Sequence, residues 1–215
     1  MAPAAELDIF RANGLNMTTA LIQTADGTFT AHFSETGLAG LDFPADETVS
    51  RTATNELSAQ WRSWLRLTER ALKRALAGKT PDRLPPLDLS IGTDFQRSVW
   101  NALKRIPAGN TKSYQEVAQS IGRPRAVRAV GQACGANPIP VLVPCHRVLA
   151  ANGKLGGFSS GLEWKRMLLA RESVEFKSCA SFPPGAIDRS AVQGKLTSTN
   201  AKSSSNKADP RVFSR

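Results

Sequence analysis

The chain reads as an α/β (α+β) protein of two unlike parts, a small antiparallel sheet carrying one long helix, followed by a mainly helical domain. Three observations predict this: β-branched runs around a hairpin signal near the N-terminus, a single long amphipathic run after them, and short capped helical segments beyond residue 90. At 215 residues the chain can hold one sizeable domain or two small ones.

Residues 18–24 and 28–33 are rich in Thr, Ile and Phe and flank Ala25-Asp26-Gly27, which reads as a hairpin; residues 38–43 continue the sheet after a turn at Gly37. From about 55 to 77, Leu57, Trp61, Trp64, Leu65, Leu72 and Leu76 recur at helical spacing, with arginines on the other face. The tryptophans belong to the core of this unit. Residues 78–86 hold three prolines and connect it to a second domain, which places the parts at 1–86 and 87–176. Residues 177–215, rich in Ser, Lys, Ala and Pro, cannot bury enough apolar surface to order themselves and are expected to form a disordered basic tail, with Cys179 an exposed thiol.

In the second part Phe95, Val99, Ala102, Leu103 and Ile106 mark an amphipathic helix ended by Pro107-Ala108-Gly109. Ser113 and Glu116 have the spacing of a capping box, and the helix they open runs to Gly122. After Gly122-Arg123-Pro124 a further helix is expected over 125–136, so two short helices meet at a tight turn in a helix-turn-helix pattern. The second helix sets Arg125 and Arg128 among small residues, Ala126, Ala129 and Gly131 included, a composition that brings a backbone close to a minor groove or a distorted duplex while arginine supplies the reach.

The formal net charge is +10, unevenly spread. Residues 1–89 hold 9 basic and 11 acidic side chains, residues 90–175 hold 12 and 5, and residues 176–215 hold 7 and 2. A polyanionic partner for the second half is the natural reading. Cys134, Cys145 and Cys179 are too few and too scattered for a disulfide framework, and neither a signal peptide nor a membrane-length apolar stretch is present. These features predict a soluble, intracellular, thiol-reduced protein, cytoplasmic in a bacterium or nuclear in a eukaryote.

Chemistry concentrates in Pro144-Cys145-His146-Arg147, which follows the apolar run 139–143. A thiol attacks as the thiolate, and imidazole and guanidinium groups promote that form. Taken alone the tetrapeptide also fits a small buried cysteine beside a structural histidine.

The context resolves this. Gly92-Thr-Asp-Phe-Gln-Arg-Ser-Val-Trp100, Tyr114, Arg128, Gly135-Ala136-Asn137-Pro138, the Pro-Cys-His-Arg box and Gly156-Gly157-Phe158-Ser159 together resemble the O6-alkylguanine-DNA alkyltransferases across residues 92–172. The N-terminal part resembles them in architecture only. The resemblance implies a ribonuclease H-like N-terminal unit and a winged-helix-like catalytic domain. It implies irreversible transfer of the alkyl group from O6-alkylguanine, and from O4-alkylthymine, in double-stranded DNA to Cys145, once per molecule and without a cofactor.

Roles carry over by the same resemblance. His146 takes the thiol proton through a water, Glu172 orients His146, Tyr114 donates to the leaving guanine, Lys165 lies near thiol and tyrosine, and Asn137 braces the turn before the active-site strand. Lys165 and Glu172 share one face of a helix over 161–173. The carbonyls of Cys145 and Val148 and the amide of Ser159 read the extruded base between Pro140, Gly156 and Phe158. Arg128 fills the place the base leaves. Some family members carry zinc in the N-terminal part; residues 1–89 have no cysteine and only His32, so no metal is expected. A monomer without an obligate protein partner is expected. A damage-sensing DNA-binding module and a Cys-His hydrolase are the rival readings.

Overall fold

The computed structural model describes residues 7–12, 15–44 and 58–176, with side chains from Met17 onward. The expected tail, Cys179 and the start of the long helix at 55–57 lie outside them.

Four antiparallel strands form a meander, β1 (Leu7–Ala12), β2 (Leu15–Thr24), β3 (Gly27–Phe33) and β4 (Leu38–Asp42). The hairpin is tighter than the three-residue signal suggested: Thr24 pairs with Gly27, leaving Ala25 and Asp26 as a two-residue turn. Thr24 Oγ1 closes it, accepting from the Asp26 amide and donating to the Gly27 carbonyl. Strand β1, in register from Leu7 opposite Ala20 to Ala12 opposite Leu15, was not anticipated. Its sequence, LDIFRA, is too short to show its period.

Helix α1 (Ala59–Leu76) starts at Ser58, whose hydroxyl accepts from the Trp61 amide, and ends with Lys73 and Arg74 at the negative end of its dipole. Its buried face, including Trp64, Leu65, Leu72 and Leu76, joins Ile22, Phe29, Phe33, Leu38 and Leu41 of the sheet in one core. Each such side chain contributes about 1.5–3 kcal/mol by leaving water. The proline-rich connection does not hang free, because β4 holds its end: the Leu38 amide donates to Pro86 O at 2.8 Å and the Asp88 amide to Leu38 O at 2.7 Å.

The second part has helices α2 (Asp94–Leu103), α3 (Tyr114–Ser120), α4 (Val127–Gly135) and α5 (Leu162–Arg171), with a short parallel pair, β5 (Lys112–Ser113) and β6 (Val148–Leu149). Capping boxes open both α2, through Thr93 and Gln96, and α3, through Ser113 and Glu116. The Trp100 indole N–H donates to Ala133 O at 2.7 Å and so ties α2 to α4. Helices α3, α4 and α5 fall within their expected spans, and α2 starts one residue before Phe95 and ends short of Ile106. Helix α4 begins after Ala126, which has no capping side chain, so Arg125 lies in the turn before it. Helix α5 stops at Arg171, leaving Glu172 as its C-cap.

The core runs continuously into this part. The Leu41 amide donates to Pro138 O at 2.9 Å, and the rings of Phe43 and Phe158 meet edge to face at 5.9 Å. Sheet residues therefore brace the loops that carry the site.

Candidate active site

The approach to Cys145 is made of turns. The Leu142 amide donates to Pro140 O at 2.9 Å and the Cys145 amide to Val143 O at 2.8 Å, each closing a three-residue γ-turn. Val141 sits at φ 71°, a conformation rare for a β-branched residue, and Pro144 at φ −79°, ψ 68°. Cys145–Arg147 then form a single 3-10 turn ahead of β6. The expected active-site strand is thus absent at Cys145. Pro140 and Pro144 have no amide hydrogen to give a ladder, and the γ-turns contract the chain. The consequence is chemical, since a 3-10 turn spaces side chains by about a third of a revolution, where a strand would have sent Cys145 and His146 to opposite faces.

Residues 139–149 are all buried, and Cys145 is 4% exposed. Asn137 spans the end of α4 and this turn. Its Nδ2 donates to Val143 O at 2.7 Å and to Cys145 Sγ at 3.2 Å, while its Oδ1 accepts from the Ile139 amide at 3.1 Å. It therefore touches the sulfur as well as bracing the turn.

His146 Nε2 lies 3.0 Å from Glu172 Oε1, both side chains being 1% exposed. Glu172 also accepts from Arg147, through Nε at 3.1 and 3.0 Å and Nη2 at 2.8 Å, and from the Gly109 amide at 3.3 Å. Arg147 Nη1 donates to Ile106 O at 2.5 Å. Burial pushes the Glu172 carboxyl up, but the hydrogen bonds and charges of His146 and Arg147 outweigh it and hold it at about 2. An ionised carboxylate here makes Nε2 the protonated nitrogen. Nδ1, buried and with no hydrogen bond among the described residues, keeps its lone pair.

Burial lowers His146, over the opposing pull of Glu172, so the ring is neutral near pH 7. Burial also raises Cys145, and Asn137 and Lys165 offset this only in part. The thiol is therefore protonated at rest, and reaction requires a base to take its proton, the part expected of His146.

Lys165 is fully buried and donates through Nζ to Val148 O at 2.6 Å, to Gly157 O at 3.4 Å and to Leu155 O. It pins the loop after the cysteine turn, and no hydrogen bond joins it to the thiol or the tyrosine. Burial lowers it to about 8, while Cys145 and Cys134 favour its charge. The Val148 carbonyl is thereby already engaged by the ammonium group.

Tyr114, half-buried at the start of α3, packs between α4 and the glycine loop. A Cβ at Gly131 would lie 3.9 Å from its ring, and one at Gly156, where φ is 68°, only 3.0 Å from its hydroxyl. Burial and then the nearby Cys134 and Cys145 raise it to about 12, against a backbone hydrogen bond at Gly157.

Of the expected pocket walls Pro140 is buried, Gly156 and Ser159 are exposed, and Phe158 turns its ring onto Phe43. Arg125 and Arg128 are exposed, with Ala126, Ala129 and Gly131 half-buried around them. The sequence set Arg147 beside the thiol as a promoter of the thiolate, whereas its buried guanidinium is engaged by Glu172 and the Ile106 carbonyl. The parts of Ile106 and Gly109 were not foreseen, since both contribute only backbone atoms.

The DNA binding domain of 6-O-methylguanine DNA methyltransferase matches residues 94–174. A methylated-DNA–protein-cysteine methyltransferase of Methanosarcina barkeri is 42% identical over 158 residues, 71% of this chain and 94% of that protein. The inducible methylated-DNA–protein-cysteine methyltransferase of Bacillus subtilis is 52% identical over 97 residues, 45% of this chain and 54% of its own. Among solved structures, O6-methylguanine methyltransferase of Mycobacterium tuberculosis superposes with a TM-score of 0.56 at 38% identity, covering 71% of this chain and 90% of that one. The OGT of the same organism in complex with DNA gives 0.55 at 39% identity, with the same coverage.

Proposed function

We infer the function from a premise those likenesses supply, namely that the chain belongs to the methylated-DNA–protein-cysteine methyltransferase family. It is a direct-reversal DNA repair protein, transferring the alkyl group of O6-alkylguanine in duplex DNA to a cysteine of its own. We assign that cysteine to Cys145, and we extend the substrates to O4-alkylthymine.

One observation carries the assignment: the Cys145 sulfur lies under the Asn137 amide, one residue from an imidazole whose Nε2 is held by a buried carboxylate and whose Nδ1 is unengaged. A target base inside the stack cannot present O6 to this buried sulfur, so it is extruded, which costs a few kcal/mol of unstacking. His146 Nδ1 accepts the thiol proton through a water, and Glu172 stabilises the imidazolium formed. The thiolate sulfur attacks the alkyl carbon in line. A sulfur–carbon bond forms as the carbon–O6 bond breaks, and the electron pair leaves on guanine. Tyr114 donates to the ring nitrogen as this charge develops. The carbonyls of Cys145 and Val148 and the Ser159 amide read the base edge beside Pro140, Gly156 and Phe158. Arg128 fills the gap in the duplex, with Arg125, Ala126, Ala129 and Gly131 along the same groove.

We read residues 1–86 as a ribonuclease H-like unit and residues 87–176 as a winged-helix-like domain; the four-stranded meander with α1, and α3–α4 beside β5–β6, support this. Cys145→Ala tests the assignment. The variant should keep duplex affinity and lose transfer altogether, because the thiol contacts no phosphate. Demethylation by the variant would move the acceptor to another cysteine.

A further inference from the structure

Helix α1 carries a row of cations that alkyl transfer does not use. Arg62, Arg66, Arg70 and Arg74 recur at every fourth residue, with Lys73 alongside. Seven of the nine basic residues in 1–89 lie between 62 and 83, within a segment pair whose overall balance is acidic. Arg62, Arg66, Arg70 and Lys73 are exposed, and Arg66, Arg70, Lys73, Arg74 and Lys79 line an open groove of about 590 Å³.

The row does not serve the helix that bears it. Arg62–Arg66, Arg66–Arg70 and Arg70–Arg74 are like charges one turn apart, which repel, and the attractive pair of this spacing is Glu69–Lys73 at 2.6 Å. Asp82 answers Arg74 at 3.1 Å and Arg70 at 3.8 Å. Arg62, Arg66, Lys79 and Arg83 have no carboxylate partner among the described residues. Spacing of this kind fits an external anion that is itself extended. From Arg62 to Arg74 the helix rises about 18 Å, close to five base-pair steps of a duplex. Guanidinium forks suit phosphate oxygens, two hydrogen bonds at a time.

We propose that this face of α1 binds the sugar–phosphate backbone of duplex DNA without regard to sequence, as a contact separate from α4. The inference rests on the repair function stated above, which makes DNA the polyanion the protein meets. Binding here holds the protein on undamaged DNA between lesions and leaves the transfer step untouched.

The test is a salt titration of binding to an undamaged 40-base-pair duplex, using the full chain, an Arg62/Arg66/Arg70→Gln triple variant and the corresponding triple Lys variant. Each phosphate contact contributes about 0.9 to the slope of log affinity against log salt, so the Gln variant should lose about two to three from that slope and at least tenfold in low-salt affinity, while the Lys variant keeps the slope. Transfer from free O6-benzylguanine to Cys145 should proceed at the parent rate in both, reporting that they are folded; failure of the parent protein itself to accept the benzyl group would contradict the repair reading and not this one. An unchanged slope and affinity in the Gln variant overturns the proposal and leaves the row to an acidic protein. Equal losses in the Gln and Lys variants overturn it too, since charge would then not be what matters.

Discussion

At the residue scale, Glu172 decides what His146 can do. By accepting from Nε2 it leaves Nδ1 as the basic atom, and by accepting from Arg147 it stays ionised while buried. Its folded pKa is depressed, so its stabilisation is complete above the unfolded value near 4.3 and is lost as pH falls from there towards 2. His146 is depressed as well, but as a base. The unfolded chain takes up its proton first, and stability from this residue declines as pH falls below about 6.5. Transfer to Cys145 needs the neutral ring and should therefore hold level near pH 7, falling only below about 6.5. Single-turnover rates on O6-benzylguanine across pH 5–8 check this, and an inflection above pH 7 would contradict a lowered His146. Glu172→Gln should lower stability by about 3–5 kcal/mol in denaturant titration, because Arg147 is left as a buried, unneutralised charge. It should also slow transfer by releasing the tautomer. Normal stability in that variant would mean the pair is not the anchor the geometry makes it.

At the scale of elements, the turn from 139 to 147 and the glycine loop from 155 to 159 hold the reacting groups. Gly156→Ala adds a carbon 3.0 Å from the Tyr114 hydroxyl at a left-handed φ, so transfer should fall at least tenfold while the fold persists, as single-turnover kinetics beside thermal melting will show. On α4, Arg128→Ala should slow repair in duplex DNA more than attack on free O6-benzylguanine, since only the duplex has a gap to fill. Equal losses on both substrates would make Arg128 structural. These elements differ in how far the sequence revealed them. The hairpin at Ala25-Asp26, the capping box at Ser113 and the amphipathic face of α1 were readable, because turn chemistry, capping and periodicity are local. The strand expected at Cys145 was not a strand. An apolar run between two prolines has no period to distinguish ladder from turn, and the buried Arg147 obeys a carboxylate 25 residues away. Likewise Lys165 was expected near the thiol and the tyrosine by resemblance, whereas its hydrogen bonds go to carbonyls of β6 and of the following loop, whose path no local signal specifies.

For the molecule as a whole, the N-terminal sheet and the catalytic part share one core, joined by Leu41 to Pro138, by the Phe43 rings on Phe158 and Trp164, and by Arg171 on Asp26 at 2.6 Å and on the Leu76 carbonyl at 3.0 Å. The sheet therefore stiffens the very loop that carries Gly156 and Ser159, which links folding of the first part to reactivity in the second. Such a scaffold suits a reaction run once. In a hydrolase, water attacks an acyl intermediate and frees the thiol, whereas an S-alkyl thioether has no carbonyl to attack and guanine has already gone. The decisive measurement is the yield of demethylated product against active protein with excess O6-methylguanine duplex, read together with the intact mass. Product should stop at one equivalent, with a single added methyl located on Cys145. Continued turnover past that plateau, with Cys145 recovered unmodified, would contradict alkyl transfer to this residue.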